Sequence, residues 1–449
     1  MYQRTEVTAA APAPAADRPR PRKTTLAYQA LLIFTIYYFL RPEDFIPGLR
    51  YIPWGKITGG IAILGVLLGL PSKDRPKLPL EIKILLLLLL HMVLTVPFAF
   101  WITGSARLIV NEFSKAVIVG VLVFYAVTNF RDLRRLMYTQ AALVAFVALS
   151  SLAVHKLDNA GRLMGLQQGV LENPNDLAIN IAINFPLCMA FMLRAKAGFK
   201  VLWGLALLFM MYAVVATYSR SGVLSLGLTV LICLWEFGVK GRRTYLLAAT
   251  VFIGMAGVVV VFTQPHYLAR LETLVKGGDV EGGQDKGTLE ARSTLLKKAI
   301  IIAFEHPVFG VGPGNYQVVS DEWHVVHNSY AELAAETGFP GLILFLVLLW
   351  ACFRKLGRIR KLPVHQTDPD LELWTSALWA SLAAYATGSL FASTEYNLFP
   401  YFIVGYICAL YTVAAKAAEV PGGKLDEGKL DRRNRTRDAN GKRELVWSR

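Results

Sequence analysis

Charge is what this chain has least of. Asp, Glu, Lys and Arg make up 18% of its 449 residues, against about a quarter in soluble domains. Cysteine is almost absent. The four present, Cys188, Cys233, Cys352 and Cys408, all lie inside apolar stretches, where they read as packing residues rather than disulfides or ligands. No Cys-x-x-Cys or His-Glu-x-x-His occurs, so no metal site is called. The alternating short strands of an outer-membrane barrel are missing too.

What is present is apolar length. Runs of roughly sixteen to twenty-two apolar residues, enough to cross a bilayer, recur along most of the chain, and mean hydropathy is +0.43. The expected fold class is an all-α polytopic membrane protein, because a backbone in lipid must satisfy its own hydrogen bonds. The net charge of +15 does not call for nucleic acid. It collects in an N-terminal arm, a C-terminal tail and short connecting loops.

Twelve spans are predicted, at residues 25–40, 57–70, 80–101, 113–128, 136–154, 174–193, 201–217, 221–238, 244–263, 328–353, 371–394 and 397–415. The Ala/Pro/Arg-rich residues 1–23 read as a disordered basic arm, not a cleavable signal. Residues 24–415 read as the transmembrane unit and 416–449 as a disordered basic tail. With the N-terminus inside, each inner loop is basic: Lys73–Lys77, Arg131–Arg135, Arg194–Lys200, Lys240–Arg243 and Arg354–Lys361. The positive-inside rule then places both termini in the cytoplasm.

One outer segment is long, residues 264–327, and a segment of that length carries function or is disordered. Gly277–Gly287 reads as a flexible polar turn. From Thr288 to Glu305, Leu289, Leu295, Leu296, Ile300 and Ala303 recur at helical spacing, which predicts an amphipathic helix near the membrane surface.

Arginines stand on the outer side, where the charge rule should thin them: Arg41, Arg162, Arg220, Arg270 and Arg292. Arg220 occupies a very tight turn, Thr217-Tyr218-Ser219-Arg220-Ser221-Gly222. It either snorkels to lipid phosphates or holds an anion. Arg292 lies on the amphipathic helix with Lys297 and Lys298 nearby. Arg162 lies in Gly161–Gly165. Arg41 opens Arg41-Pro42-Glu43-Asp44 and could pair with its own acids.

Asn173 and Pro174 form a helix start, followed by Asn175. Asp176, Asn180 and Asn184 then make one polar stripe, which either hydrogen-bonds to other helices or walls a cavity. Gly310-Val311-Gly312-Pro313-Gly314-Asn315 only partly resembles a phosphate loop, since no Lys-Ser/Thr follows. It reads as a turn whose amides could still reach a phosphate. Ser329 and Glu332 fit a capping box starting a helix near residue 329. His327 then sits at the positive helix end, which favours the neutral imidazole that a general base needs. A structural loop histidine is the alternative, and His324 competes for any role.

In order, the motifs are Asn-Pro-Asn opening a span, Ser-Arg-Ser-Gly after a span, and an arginine helix in a long outer loop. His-Pro-x-x-Gly-x-Gly-x-Gly-Asn, His-Asn-x-Tyr-x-Glu and Glu-x-Gly-x-x-Gly follow. Together, over about residues 161–341, they resemble the bacterial O-antigen ligase family and its relatives, the O-antigen polymerases and protein O-oligosaccharyltransferases. The resemblance implies a GT-C-like bundle of about twelve helices in the bacterial inner membrane, with its active site on the periplasmic face. It implies an inverting, metal-independent glycosyltransferase without a cofactor.

The implied donor is a glycan on undecaprenyl diphosphate, and the implied acceptor is lipid A–core or another glycan or protein. Membrane lipid surrounds the enzyme. His327, Arg220 and Arg292 match the family's catalytic positions. Arg162, Asn175, Asp176, Asn315 and Arg41 are candidate substrate-binding residues. Tyr37–Asp44 also resembles a subgroup linked to exopolysaccharide or exosortase systems.

The chemistry suits these residue types. A leaving diphosphate gathers negative charge, which paired guanidinium donors stabilise. An acceptor hydroxyl is helped by a positioned base. A lipid-linked glycan transporter is the rival of a different class, but no convincing inverted repeat supports it.

Overall fold

The computed structural model describes residues 25–44, 46, 48–69, 76–158, 161–165, 171–246, 285–322, 324–419 and 425. Their regular structure is helical, with one isolated bridge between Leu157 and Leu163 and no longer strand among the described residues. In chain order the main helices are α1 (Leu26–Leu40), α2 (Trp54–Leu68), α3 (Leu80–Phe98), α4 (Ile102–Ala126), α5 (Phe130–Val154) and α6 (Pro174–Arg194). They continue with α7 (Ala197–Ala216), α8 (Arg220–Lys240), α9 (Asp285–Glu305), α10 (Ser329–Ile359), α11 (Pro369–Gly388) and α12 (Phe399–Ala418).

Eight of these, α3 to α8, α10 and α12, are long and apolar enough to cross a membrane, while α1 and α2 are shorter apolar helices. The chain is an all-α polytopic membrane protein. Every expected span has its helix except 244–263, which lies outside the described residues beyond Leu246. Arg270, the arm at 1–23 and most of the tail also lie outside them.

Helix α6 is the centre. In its most apolar window 83% of residues are buried, against 28% for its neighbour α7. It packs on α5, α7, α8 and α11. Its deep polar residues bond within the helix and to neighbouring helices. Asn184 Nδ2 donates to the Asn180 side-chain oxygen at 2.9 Å, Gln140 of α5 donates to Asn184 at 2.8 Å, and the Tyr406 hydroxyl of α12 donates to Gln140 at 2.6 Å. Such bonds are favoured where no water competes. The lower part of the polar stripe therefore ties helices together.

Several boundaries differ from the pattern-based expectation. α4 begins at Ile102, eleven residues before the predicted start, because Arg107 and Glu112 lie on an exposed side of the helix and do not interrupt it. α11 stops at Gly388, and residues 389–398 form a loop where a span was expected to run to 394. The polar turn ends early, since Asp285 already belongs to α9.

α9 lies against α10. Its buried side is Leu295, Ala299 and Ile302, which meet Val311, Tyr316, Val326 and Ala335 in a small second core. Ile300, expected on that side, is 45% exposed. Ile301 and Phe304 are exposed with it, so the helix carries apolar surface on two faces.

Candidate active site

The expected site residues gather at one end of the bundle, where α6 and α8 begin and α7 and α11 end. Local capping puts them there. Asn173 accepts the Asn175 amide at 2.8 Å, with Pro174 as the first helical residue, as the sequence predicts. Ser219 caps α8 through the Gly222 amide at 3.0 Å, which makes Arg220 the first residue of that helix. The two caps are joined, since the Ser219 hydroxyl also donates to Asn175 at 2.6 Å. Asn175 is thus a buried brace between helix starts.

Arg162 is fixed by a loop docked on α7. The Leu163 amide donates to Ala216 O at 3.0 Å. Arg162 Nε donates to Asp158 at 2.7 Å, and its own amide donates to the same carboxylate at 2.9 Å. Beside it opens a cavity of about 460 Å³ lined by Asp158, Arg162, Glu172, Asp176 and Asn397 among others. Three carboxylates and one arginine make this a wall for hydroxyl groups more than for phosphate.

Arg292 lies three residues before Leu295, so it extends the buried side of α9 toward the site. Burial, then Arg220 and then Arg162 lower its pKa from the usual guanidinium value. No carboxylate pairs with Arg292 among the described residues. Arg220 and Arg162 are therefore close enough to act on the Arg292 charge, which an anion beside Arg292 would stabilise.

His327 joins the same group. Burial pushes its imidazole down to about 4, helped by Arg292, His324 and Arg162 in that order. It is neutral at physiological pH. His324 is exposed, whereas His327 is half-buried. His327 also has φ 58°, a left-handed conformation uncommon outside glycine. The residues that hold it there come from the 389–398 loop. The His327 amide donates to the Ser393 hydroxyl at 3.2 Å. Ser393 in turn donates to Glu332, which also accepts the Val326 amide at 3.1 Å.

The capping box expected from Ser329 and Glu332 is not formed. Asn328 caps α10 instead, accepting the amides of Tyr330 and Ala331 at 3.1 and 3.0 Å. Ser329 is drawn to the neighbouring loop, donating to Ala392 O at 2.7 Å. Tertiary partners have displaced the local motif.

The glycine-rich turn is locked from below. Gly312 N donates to Glu336 O at 2.9 Å, and Val311 N to Ala335 O at 3.0 Å. The Glu336 carboxylate accepts Gly314 N at 2.8 Å, Tyr316 N at 3.1 Å and the Tyr396 hydroxyl at 2.6 Å. These amides are used, so they do not form a phosphate nest. Asn315 is fully buried and donates to Val311 O at 3.0 Å.

The fit needs two glycines. Gly310 has φ 65°, and a Cβ there would lie 2.3 Å from the backbone of Glu336. Gly338 has φ 71° and would meet Val308 at 2.6 Å. Gly338 also kinks α10, where Phe339 N turns aside to Pro307 O at 2.8 Å.

Arg162, Arg220, Arg292 and His327 thus stand together, with Asp176 in the adjoining cavity. Asn175 and Asn315 are buried braces, and Arg41 ends α1 beside Glu43 at 3.7 Å. Pattern reading missed Ser393, Glu395 and Tyr396, because Leu390, Phe391 and Ala392 make the loop read as span. The polar triplet Ser393-Thr394-Glu395 directly after them was the available signal.

Fold and site together define a polytopic membrane protein with three arginines and a histidine of lowered pKa gathered at one end of its bundle. Residues 205–346 match the family described as O-antigen ligase, which supports the resemblance of the chain to that family. It spans Arg220, Arg292, Asn315 and His327. The chain is also similar to the exopolysaccharide production protein ExoQ of Rhizobium meliloti (strain 1021), 25% identical over 327 residues, covering 67% of this chain and 69% of the relative. These findings assign the chain to polysaccharide-related proteins of ligase or polymerase type.

Proposed function

We propose that this protein is an inverting glycosyltransferase that moves a glycan from undecaprenyl diphosphate to an acceptor hydroxyl at the periplasmic face of the inner membrane. The observation that carries the reading is the neutral His327 beside Arg292, which is in turn beside Arg220 and Arg162. The acceptor oxygen attacks the anomeric carbon while the carbon–oxygen bond to the diphosphate breaks. The diphosphate leaves with the bonding electron pair, and Arg220 and Arg292 stabilise its charge. His327 takes the acceptor proton or orients the hydroxyl. Direct displacement inverts the anomeric centre. The carboxylates of the 460 Å³ cavity suit sugar hydroxyls next to the reacting bond. The exposed apolar side of α9 suits the membrane surface.

Two acceptors are in view. Lipid A–core is the acceptor that the ligase description suggests. A growing exopolysaccharide chain is the second reading, favoured by the printed name of the relative. Purified protein is to be incubated with an undecaprenyl-diphosphate glycan and each acceptor in turn, with EDTA present. Transfer to one acceptor, lost in Arg220→Ala and in His327→Ala of intact fold, is the expected result. No transfer to any hydroxyl, with the donor merely crossing the bilayer, would favour a transporter instead.

A further inference from the structure

α6 has a second cavity at its other end. Its 21 residues span about 30 Å, so this cavity lies roughly one membrane core away from Asp176. It measures about 860 Å³ and opens on the flank of the bundle between α1, α5, α6, α7 and α11. The lining divides by chemistry. Tyr28, Leu32, Tyr138, Phe191, Trp203 and Trp374 form an apolar wall. Phe191 stacks on Trp203 with centroids 5.5 Å apart, and Trp374 lies 4.5 Å from Phe191.

Arg134, Arg135, Arg194 and Lys196 line the remainder. Asp370 accepts Arg194 Nε at 2.7 Å and lies 4.0 Å from Arg134, while Asp132 lies 4.0 Å from Arg135. Four cations against two carboxylates leave a surplus of two positive charges. The positive-inside rule explains why basic loops fall on this side. It does not explain their place around an aromatic groove.

We propose that this cavity binds an anionic phospholipid of the diphosphatidylglycerol class, with both phosphodiesters on the arginine–lysine rim and an acyl chain against the aromatic wall. A soluble anion has no use for the aromatic wall. An uncharged lipid has no use for the guanidiniums. A head group carrying two phosphodiesters matches the surplus charge, and basic pockets between membrane helices suit such lipids. The site is distinct from the candidate active site and does not depend on the proposed reaction.

The test is native mass spectrometry of the full chain in detergent, titrated separately with diphosphatidylglycerol, phosphatidylglycerol, phosphatidylethanolamine and inorganic phosphate. Arg135 and Lys196 are exposed, so Arg135→Gln/Lys196→Gln should leave the fold intact. Preferential retention of diphosphatidylglycerol, weakened on the order of tenfold to thirtyfold in the double variant, is the expected result. Equal retention of phosphatidylethanolamine would overturn the proposal. So would unchanged affinity in the folded double variant, or displacement of the lipid by millimolar inorganic phosphate.

Discussion

Glu336 accepts the backbone amide of Gly314 at 2.8 Å and thereby fastens the glycine-rich turn to the first half of α10. The same carboxylate holds Tyr316 and Tyr396. Glu336→Ala strands several donors in a buried place, at about 1–3 kcal/mol for each left unsatisfied. A fall in thermal midpoint in detergent is expected, with Glu336→Gln falling less. A midpoint unchanged in the alanine variant would remove Glu336 from this role.

Gly338→Ala tests the other half of the clasp. An alanine held at φ 71° and ψ 178°, a region essentially confined to glycine, costs about 1–3 kcal/mol, and here its Cβ would also press on the Val308 backbone at 2.6 Å. Lower stability than Gly357→Ala is expected, since nothing lies within 4 Å of Gly357. Equal folded yields would contradict the close approach.

His327 and Glu395 set opposite responses to pH. His327 is held down to about 4, so unfolding takes up a proton between about 6.5 and 4. Its contribution to stability is complete above about 6.5 and is lost as pH falls toward 4. Burial, with the Glu336 carboxylate adding, pushes Glu395 up to about 8. Its contribution is complete below about 4.5 and is lost as pH rises toward 8. Unfolding midpoints across pH 4–9 should show Glu395→Gln flattening the alkaline decline and leaving the acid one. A decline unaltered by that substitution would contradict the neutral carboxyl.

The same imidazole shapes the rate profile. The acid limb of kcat/KM should lie well below the usual histidine value of about 6.5. Arg292→Gln removes one cation and should move that limb upward, though not fully, because burial is the larger cause. An acid limb that stays in place would separate Arg292 from His327.

Helix positions were legible because a membrane span is written in composition alone. α3 and α6 to α8 fall within a few residues of the apolar runs. What pattern could not give was partner choice. Ser329 and Glu332 match a local capping motif, yet Asn328 caps the helix, because the 389–398 loop offers Ser329 and Glu332 better-placed partners. That loop was itself hidden in an apolar run. The arginines were legible as charges out of place. Their convergence with His327 required α9 to be laid on α10, through buried residues whose sequence spacing also fits other helix faces.

Catalysis by Arg220, Arg292 and His327 is the central claim. Its most direct test is donor binding and single-turnover transfer measured together, for wild type, His327→Ala, Arg220→Ala and Arg220→Lys, each verified as folded. The predicted result is that His327→Ala still binds the undecaprenyl-diphosphate glycan while transfer falls by about 10²–10⁴. Arg220→Ala should lose about 10²–10³ in rate, with lysine restoring little because it lacks the paired donors. Wild-type transfer in both Arg220→Ala and His327→Ala would contradict the assignment.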